Sequence, residues 1–245
     1  MRNSEPIIRM RNLSKNYGGV RALDEINLDL YEGELLFIVG VNGAGKSTLV
    51  NILSGAVTPN PESRIEFDSK PISISTPRKA QKLGIHTVYQ DLALCNNLNA
   101  FQNIFLGNEA TSFGHLRHEE MERRSRDLFE TIGSNVPNPQ APVGTRSGGQ
   151  RQAVAIAKSL LFPGRLIMMD EPTAALGVIQ RRQVSLLTRR LRDEGNAVVV
   201  ISQDLDEVVK SADRVVVMRI GQIESILEGG KFTRDDLVAH ITGIG

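Results

Sequence analysis

The chain has no tryptophan, a single cysteine and only eleven aromatic residues, eight Phe and three Tyr, among 245 residues. So few aromatics argue against a base-stacking platform for single-stranded nucleic acid. One cysteine, Cys95, permits no internal disulfide, and His86, His115, His118 and His240 have no metal-type spacing with it. Redox and metal-cage functions are excluded on that ground. An excess of one charge is also missing: 29 Lys plus Arg face 28 Asp plus Glu, a formal net charge of +1. That balance gives no broad electrostatic footprint, so no nucleic-acid partner is expected. Long hydrophobic runs are absent as well. The best, Leu35 to Val41, is seven residues even with Gly40 counted, against about 20 for a membrane-spanning helix. The opening MRNSEPIIRM carries charges but no apolar core or small-residue cleavage site. The expectation is a chain that does not cross a bilayer alone, carries no secretion signal and stays in the cytosol.

What is present is ordinary globular composition, 40% hydrophobic and 23% charged, enough for one large domain or two intimate subdomains and not for disorder. Short apolar runs bounded by turn residues alternate with longer amphipathic segments, the pattern of a mainly parallel sheet covered by helices. The class is α/β. Strands are expected at Ile26 to Leu30, Leu35 to Val39, Arg64 to Phe67, Ile85 to Tyr89, Leu166 to Met169, Ala197 to Ile201 and Val215 to Met218. Residues 91–161 read differently. Helical segments around His118 to Ile132 and Gln150 to Leu161 are joined by a Pro- and Gly-rich connection from Gly133 to Gly149, as in an inserted helical subdomain. After Gly229-Gly230, residues 231–245 hold a short helix, with Thr233 as N-cap and Asp235 and Asp236 in its first turn.

Between Leu35 to Val39 and the helix-like TLVNIL lies Gly40-Val41-Asn42-Gly43-Ala44-Gly45-Lys46-Ser47, followed by Thr48, which fits G-x-x-x-x-G-K-[ST] at every fixed position. In that context it is a P-loop. Its glycines let backbone N–H groups turn toward phosphate oxygens, and the helix that follows offers its positive end to the same charge. Lys46 is placed to reach the β- and γ-phosphates of a nucleotide, and Ser47 to bind Mg²⁺ together with phosphate oxygens and waters. A second apolar run, Leu166 to Met169, ends in Asp170-Glu171. In P-loop ATPases an Asp at this strand end helps to hold Mg²⁺. Glu171 beside it is the candidate base that orients and polarises the attacking water. The expected nucleotide is ATP.

The third element is Ser147-Gly148-Gly149-Gln150-Arg151-Gln152, opening a helix that runs through AVAIAKSL. It resembles the signature motif of ABC transporter ATPases. The resemblance covers nearly the whole chain and implies a RecA-like core over residues 1–90 and 162–230, an antiparallel β subdomain, and a helical subdomain at 91–161 carrying the signature. It also implies that Ser147, Gly148, Gly149 and Gln150 contact ATP bound to a second copy of the chain in a head-to-tail dimer. Tyr17 resembles the aromatic that stacks on adenine. Gln90 matches the Q-loop glutamine that senses Mg²⁺ and the attacking water. Ala174-Ala175-Leu176-Gly177 occupies the D-loop. Within the superfamily, Leu94 to Glu109, Glu171 to Val178 and Tyr17 to Leu23 resemble the monosaccharide importers of the ribose, xylose and fructose type. A membrane permease, a separate sugar-binding protein and a peripheral position on the cytoplasmic face of the inner membrane are then implied. Coupling to another cargo, or a weakly hydrolytic regulatory role, are the alternatives.

Three positions depart from the family pattern. Gln203 stands where a histidine normally contacts the γ-phosphate; an amide can donate a hydrogen bond but carries no imidazolium charge. Slower hydrolysis is one reading, and tolerance because Glu171 does most of the chemistry is the other. Arg146 replaces the apolar residue, usually Leu, that begins the signature. Either its stem packs while the guanidinium reaches solvent, or its charge acts near the partner's nucleotide. Gly177 stands where many D-loops have Asp. The arginines at 181, 182, 189, 190 and 192 read as a solvated helix face, and Cys95 as a small buried hydrophobe.

Overall fold

The structure, a computed structural model, describes residues 5–112, 114–134, 136, 138–174 and 176–243. In chain order the first elements are β1 (Ile8–Tyr17), β2 (Val20–Leu30), β3 (Leu35–Val39), α1 (Lys46–Leu53), β4 (Arg64–Phe67), β5 (Lys70–Ile72), α2 (Pro77–Lys82) and β6 (Ile85–Val88). There follow α3 (Ala100–Phe105), β7 (Thr111–Ser112), β8 (His115–Leu116), α4 (His118–Thr131), a 3₁₀ turn at Val143–Thr145 and α5 (Gly148–Ser159). The remainder comprises β9 (Leu166–Asp170), α6 (Val178–Asp193), β10 (Ala197–Ile201), α7 (Leu205–Ser211), β11 (Arg214–Arg219), β12 (Gln222–Glu228) and α8 (Arg234–Thr242).

These elements form two compact units. The first is Met1–Thr87, Gly164–Glu171 and Thr188–Gly245; the second is Val88–Pro163 and Pro172–Leu187. Residues 172–187 thus fall with the helices, outside the 162–230 core segment expected from sequence. The cause is packing: Val184 and Leu187 line one small cavity together with Ile132, Ala153 and Ile156.

Two sheets build the first unit. A six-stranded sheet has the order β12-β11-β3-β10-β9-β6, and a four-stranded sheet the order β2-β1-β4-β5. β3, β10 and β9 run parallel and every residue in them is buried, as strands covered on both faces must be. The four-stranded sheet is antiparallel throughout. One apolar cluster joins the two, with Ile8, Met10 and Leu28 from the antiparallel sheet, Ile38, Met168 and Ile201 from the parallel strands, and Leu49 and Ile52 from α1. The α/β class with a parallel core, an antiparallel β part and a helical part is as expected.

The differences lie where burial is one-sided. β1, β5, β12 and the first half of β2 were not expected as strands. β12, QIESILE, has no fully buried residue, and β1 alternates apolar with charged residues. Neither contains the continuous apolar run that marks a doubly covered strand. α2, α3 and α7 have six, six and seven residues, too short to display a helical period. The strand expected to end at Tyr89 stops at Val88. α5 begins at Gly148, because Ser147 caps it reciprocally with Gln150. α8 has the expected Thr233 cap, closed by Asp236.

The second unit packs α3, α4 and α5 against one another. Phe101, Ile104 and Phe105 of α3 and Met121 and Phe129 of α4 are buried. The segment before α3 is held by Asn103, whose amide accepts from the Cys95 N–H at 2.7 Å and donates to the carbonyls of Cys95, Leu98 and Asn99. Cys95 itself is partly exposed, not the buried hydrophobe expected.

Candidate functional site

In a parallel sheet, ligands bind beyond the carboxyl ends of the strands. Here three such ends lie side by side in the first unit. Ile201 of β10 is in register with Ile38 of β3 and Asp170 of β9. The chain therefore delivers Gly40, Asp170-Glu171 and Ser202-Gln203 to a single edge. Two backbone bonds fix the tips: Glu171 N–H donates to the Ile201 carbonyl at 3.0 Å, and Ser202 N–H to the Ile38 carbonyl at 3.4 Å.

The loop after β3 depends on glycine at two positions. Gly40 has φ 151°, and a Cβ there would lie 2.2 Å from the Met218 carbonyl oxygen. Gly45 has φ 101°, and a Cβ there would lie 2.5 Å from the Ala22 carbonyl oxygen. Both obstacles are backbone, so neither can yield easily. Gly45 is also the left-handed residue that starts α1, and no side chain caps that helix. Its leading amides and positive end are those of an anion site. Asn42, Gly43 and Ser47 are exposed, Thr48 is half-buried and Ala44 is buried. Lys46 is only 7% exposed. Its ammonium donates to the carbonyls of Gly40 at 2.8 Å and Val41 at 2.9 Å, folding back over the loop.

Burial pulls the Lys46 ammonium below its ordinary pKa, against the opposing pull of Glu171 and Asp170. Asp170, also 7% exposed, is pushed above the usual carboxylate range by burial, while a hydrogen bond from the Ser47 hydroxyl and the charge of Lys46 oppose that rise. The two shifts have opposite sense. A phosphate beside Lys46 and a cation beside Asp170 would reverse both, since each favours the charged form. Ser47 and Asp170 thus supply oxygen donors of the type Mg²⁺ takes. Among the described residues there is no group of three or more His, Cys, Asp or Glu side chains that could hold a metal ion.

Glu171 follows with φ 48°, a left-handed backbone that is costly for a glutamate. Its carboxylate accepts from the Gln203 amide at 2.5 Å, and the same amide nitrogen lies 3.5 Å from the Asn42 side-chain oxygen. Three chain segments therefore meet through Gln203: the loop after β3, the tip of β9 and the tip of β10.

At the end of β1, Tyr17 is 47% exposed, with the Lys15 ammonium 5.2 Å from its ring centre. In the second unit Gln90 is exposed just past β6. Ser147 accepts from Gln150 N–H at 3.4 Å, and the Gln150 side chain accepts from Ser147 N–H at 3.3 Å. Gly148 is exposed and Gly149 half-buried. Arg146 does not extend to solvent as the first reading had it. Its guanidinium turns back and donates to the carbonyls of Asn138 at 2.8 Å and Ala141 at 3.2 Å. Of the D-loop, Ala175 lies outside the described residues; Leu176 is buried, and Ala174 and Gly177 are exposed. The arginine-rich helix α6 is less freely solvated than expected: Arg189 donates to Ser211 at 2.7 Å and Arg192 bonds Asp213 at 3.2 Å.

Residues 23–174 match the family model described as ABC transporter. The chain belongs to the ABC transporter family. Among its relatives, the fructose import ATP-binding protein FrcA of Rhizobium meliloti is 41% identical over 98% of this chain and 95% of its own length. The xylose/arabinose import ATP-binding protein XylG of Sulfolobus acidocaldarius is 39% identical, over 89% of this chain and 86% of its own. The ribose import ATP-binding protein RbsA 1 of Rubrobacter xylanophilus is 41% identical over 97% of this chain, which spans only 47% of that longer protein. Of solved structures, a nucleotide-free ATP-binding cassette from an ABC transporter superposes with a TM-score of 0.83 at 26% identity, covering 95% of both chains. A dimeric bacterial ABC transporter cassette gives 0.80 at 27% identity, covering 92% of this chain and all of the other.

Within this ABC family member, the sequence motifs located Lys46, Ser47, Asp170 and Glu171 but not what holds them. The Met218 and Ala22 carbonyls that demand Gly40 and Gly45 come from distant segments with no motif of their own. The bond between Gln203 and Glu171 has no local signal either, since the two are 32 residues apart.

Proposed function

We propose that this chain is the ATP-hydrolysing subunit of an ABC importer, and that the cargo of the system is a monosaccharide. The observation that carries the chemistry is the convergence of Lys46, Ser47, Asp170, Glu171 and Gln203 at one sheet edge. Support for the cargo is the identity, over most of this chain, to relatives named for fructose, xylose/arabinose and ribose import.

In this reading residues 1–245 make one ATPase domain, and the loop from Gly40 to Thr48 wraps the phosphates of ATP. Lys46 exchanges its carbonyl partners for β- and γ-phosphate oxygens and offsets their charge. Tyr17 stacks on the adenine. Ser47 and Asp170, with Gln90 as the further ligand this reading assigns, would hold Mg²⁺, which would supply charge neutralisation on the phosphates. Glu171 accepts a proton from water as the water oxygen attacks the γ-phosphorus in line, and ADP leaves. Gln203 orients the Glu171 carboxylate through its amide. Ser147, Gly148, Gly149 and Gln150 reach the γ-phosphate of ATP on a second copy of the chain, so each site is completed by dimerisation. A membrane permease and a sugar-binding protein complete the importer. Among the described residues no helix is long and apolar enough to cross a membrane; the place this reading gives the chain is peripheral, on the cytoplasmic face of the inner membrane.

The test is phosphate release by the full chain co-purified with its membrane partner, as wild type and as Glu171→Gln. Removing the base should slow release by about 10²–10⁴-fold with ATP still bound. Release that survives the substitution would overturn the role of Glu171. Sugar uptake by vesicles carrying the complex tests the cargo: stimulation by an amino acid and by no monosaccharide would overturn that part alone.

A further inference from the structure

We infer that Lys15 is a positioning residue for the purine of the bound nucleotide, acting through Tyr17. This rests on the reading of Tyr17 as the surface on which the base stacks. Lys15 and Tyr17 are two apart near the end of β1, where the pairing with β2 shifts register between Lys15 and Asn16, so the side-chain geometry rather than strand alternation brings them together. The Lys15 ammonium lies 5.2 Å from the centre of the Tyr17 ring, within cation–π range. It is not free to wander, because it also donates to the Thr58 carbonyl at 2.8 Å. Lys15 is half-buried while Tyr17 is 47% exposed. One face of the ring is therefore occupied by an anchored cation, and a flat ligand has the opposite face.

Two effects follow. The cation holds the ring in one orientation at the end of the strand, just before the Gly18-Gly19 turn, so less ordering remains to be done when a base arrives. It also draws electron density from the ring, which weakens the repulsion between two π faces and favours stacking with a purine. The phosphates are untouched by either effect, because Lys46 and the loop amides hold them independently.

Equilibrium binding of MgADP and of Mg-tripolyphosphate to the full chain separates these contributions, since tripolyphosphate has no base. Lys15→Met, which keeps the stem and removes the charge, should weaken MgADP about 2- to 5-fold, the size of an exposed cation–π contact. It should leave tripolyphosphate unchanged. Lys15→Arg should restore MgADP binding. Tyr17→Ala should weaken MgADP at least as much. If Lys15→Met leaves MgADP unaltered while Tyr17→Ala weakens it, the role of Lys15 is overturned and that of Tyr17 stands. If Tyr17→Ala has no effect, the base does not stack there. Equal weakening of MgADP and tripolyphosphate by Lys15→Met would also overturn the inference, since Lys15 would then be acting on the fold or the phosphates.

Discussion

Two helices of this chain begin at glycine-containing turns, and they are built by different means. α1 starts from Gly45 in a left-handed conformation with no side-chain cap, and its loop is clamped by main-chain carbonyls of Met218 and Ala22. α5 starts from Ser147, whose hydroxyl and backbone are reciprocally bonded to Gln150. What lies closest to where a Cβ on Gly149 would sit is the flexible Gln180 side chain, its Cγ 2.6 Å away. The first turn is shaped by backbone and leaves its amides to a ligand. The second is shaped by side chains that can let go. In the proposed function, a turn that holds phosphate in every turnover would benefit from the former, and one that engages only when two copies meet would be served by the latter.

The largest effect expected from that contrast is on stability. Gly40→Ala places a methyl against a carbonyl and forces a positive φ on a substituted residue, costing about 3 kcal/mol or more. For a chain of this size that lowers the thermal midpoint by about 6–12 °C. Gly149→Ala meets only Gln180, which can rotate away, so about 1 kcal/mol or less is expected. Combining it with Gln180→Ala should remove even that. Thermal unfolding of the three variants against wild type decides the matter; equal losses at the two glycines would erase the distinction between a backbone clamp and a side-chain clamp.

A smaller and purely functional effect is expected at Gln203. The amide donates to Glu171 without bringing charge. Gln203→His adds a group with an ordinary pKa near 6.5, which the Glu171 carboxylate should raise. The protonated imidazole can stabilise γ-phosphate charge with a charge-assisted bond, about twice as strong as a neutral one. Hydrolysis by the variant should therefore exceed wild type by up to about ten-fold, the equivalent of roughly 1.4 kcal/mol. The gain over wild type should be greatest at low pH and fade as pH rises through the imidazole pKa. Steady-state phosphate release between about pH 6 and 8 reads this, and a variant no faster than wild type at any pH would refute it.

The contrast also explains what could be read from sequence. Gly45, Lys46, Ser47, Asp170 and Glu171 were legible because phosphate and metal chemistry permits few residue types at those spacings. The three parallel strands were legible because burial on both faces demands unbroken apolar runs. β1 and β12 were not, since a strand buried on one face or barely at all leaves only alternation. Nor were the contacts that shape the loops: nothing local to Gly40 announces the Met218 carbonyl, and nothing near Arg146 announces which oxygens its guanidinium will find.

Arg146 carries the smallest expected effect and the sharpest choice between two sequence-based readings. A packed stem with its guanidinium in water would be replaceable by Leu at little cost; a side chain acting near a partner's nucleotide would alter hydrolysis when lost. The structure instead ties Arg146 to the Asn138 and Ala141 carbonyls, so its charge is spent on the loop that leads into α5. Arg146→Leu restores the residue usual in the family, removes those bonds and adds an apolar side chain. Each hydrogen bond is worth about 1 kcal/mol net. With the carbonyls able to turn to water, the overall loss should be about 1 kcal/mol, or some 2–4 °C in thermal midpoint. Limited proteolysis of the segment from 138 to 146 should quicken, while the ATP dependence of hydrolysis stays as it was. A lower rate or a steeper ATP requirement at unchanged stability would assign the guanidinium to the nucleotide instead, and would make the side-chain-built turn as much a part of the phosphate site as the backbone-built one.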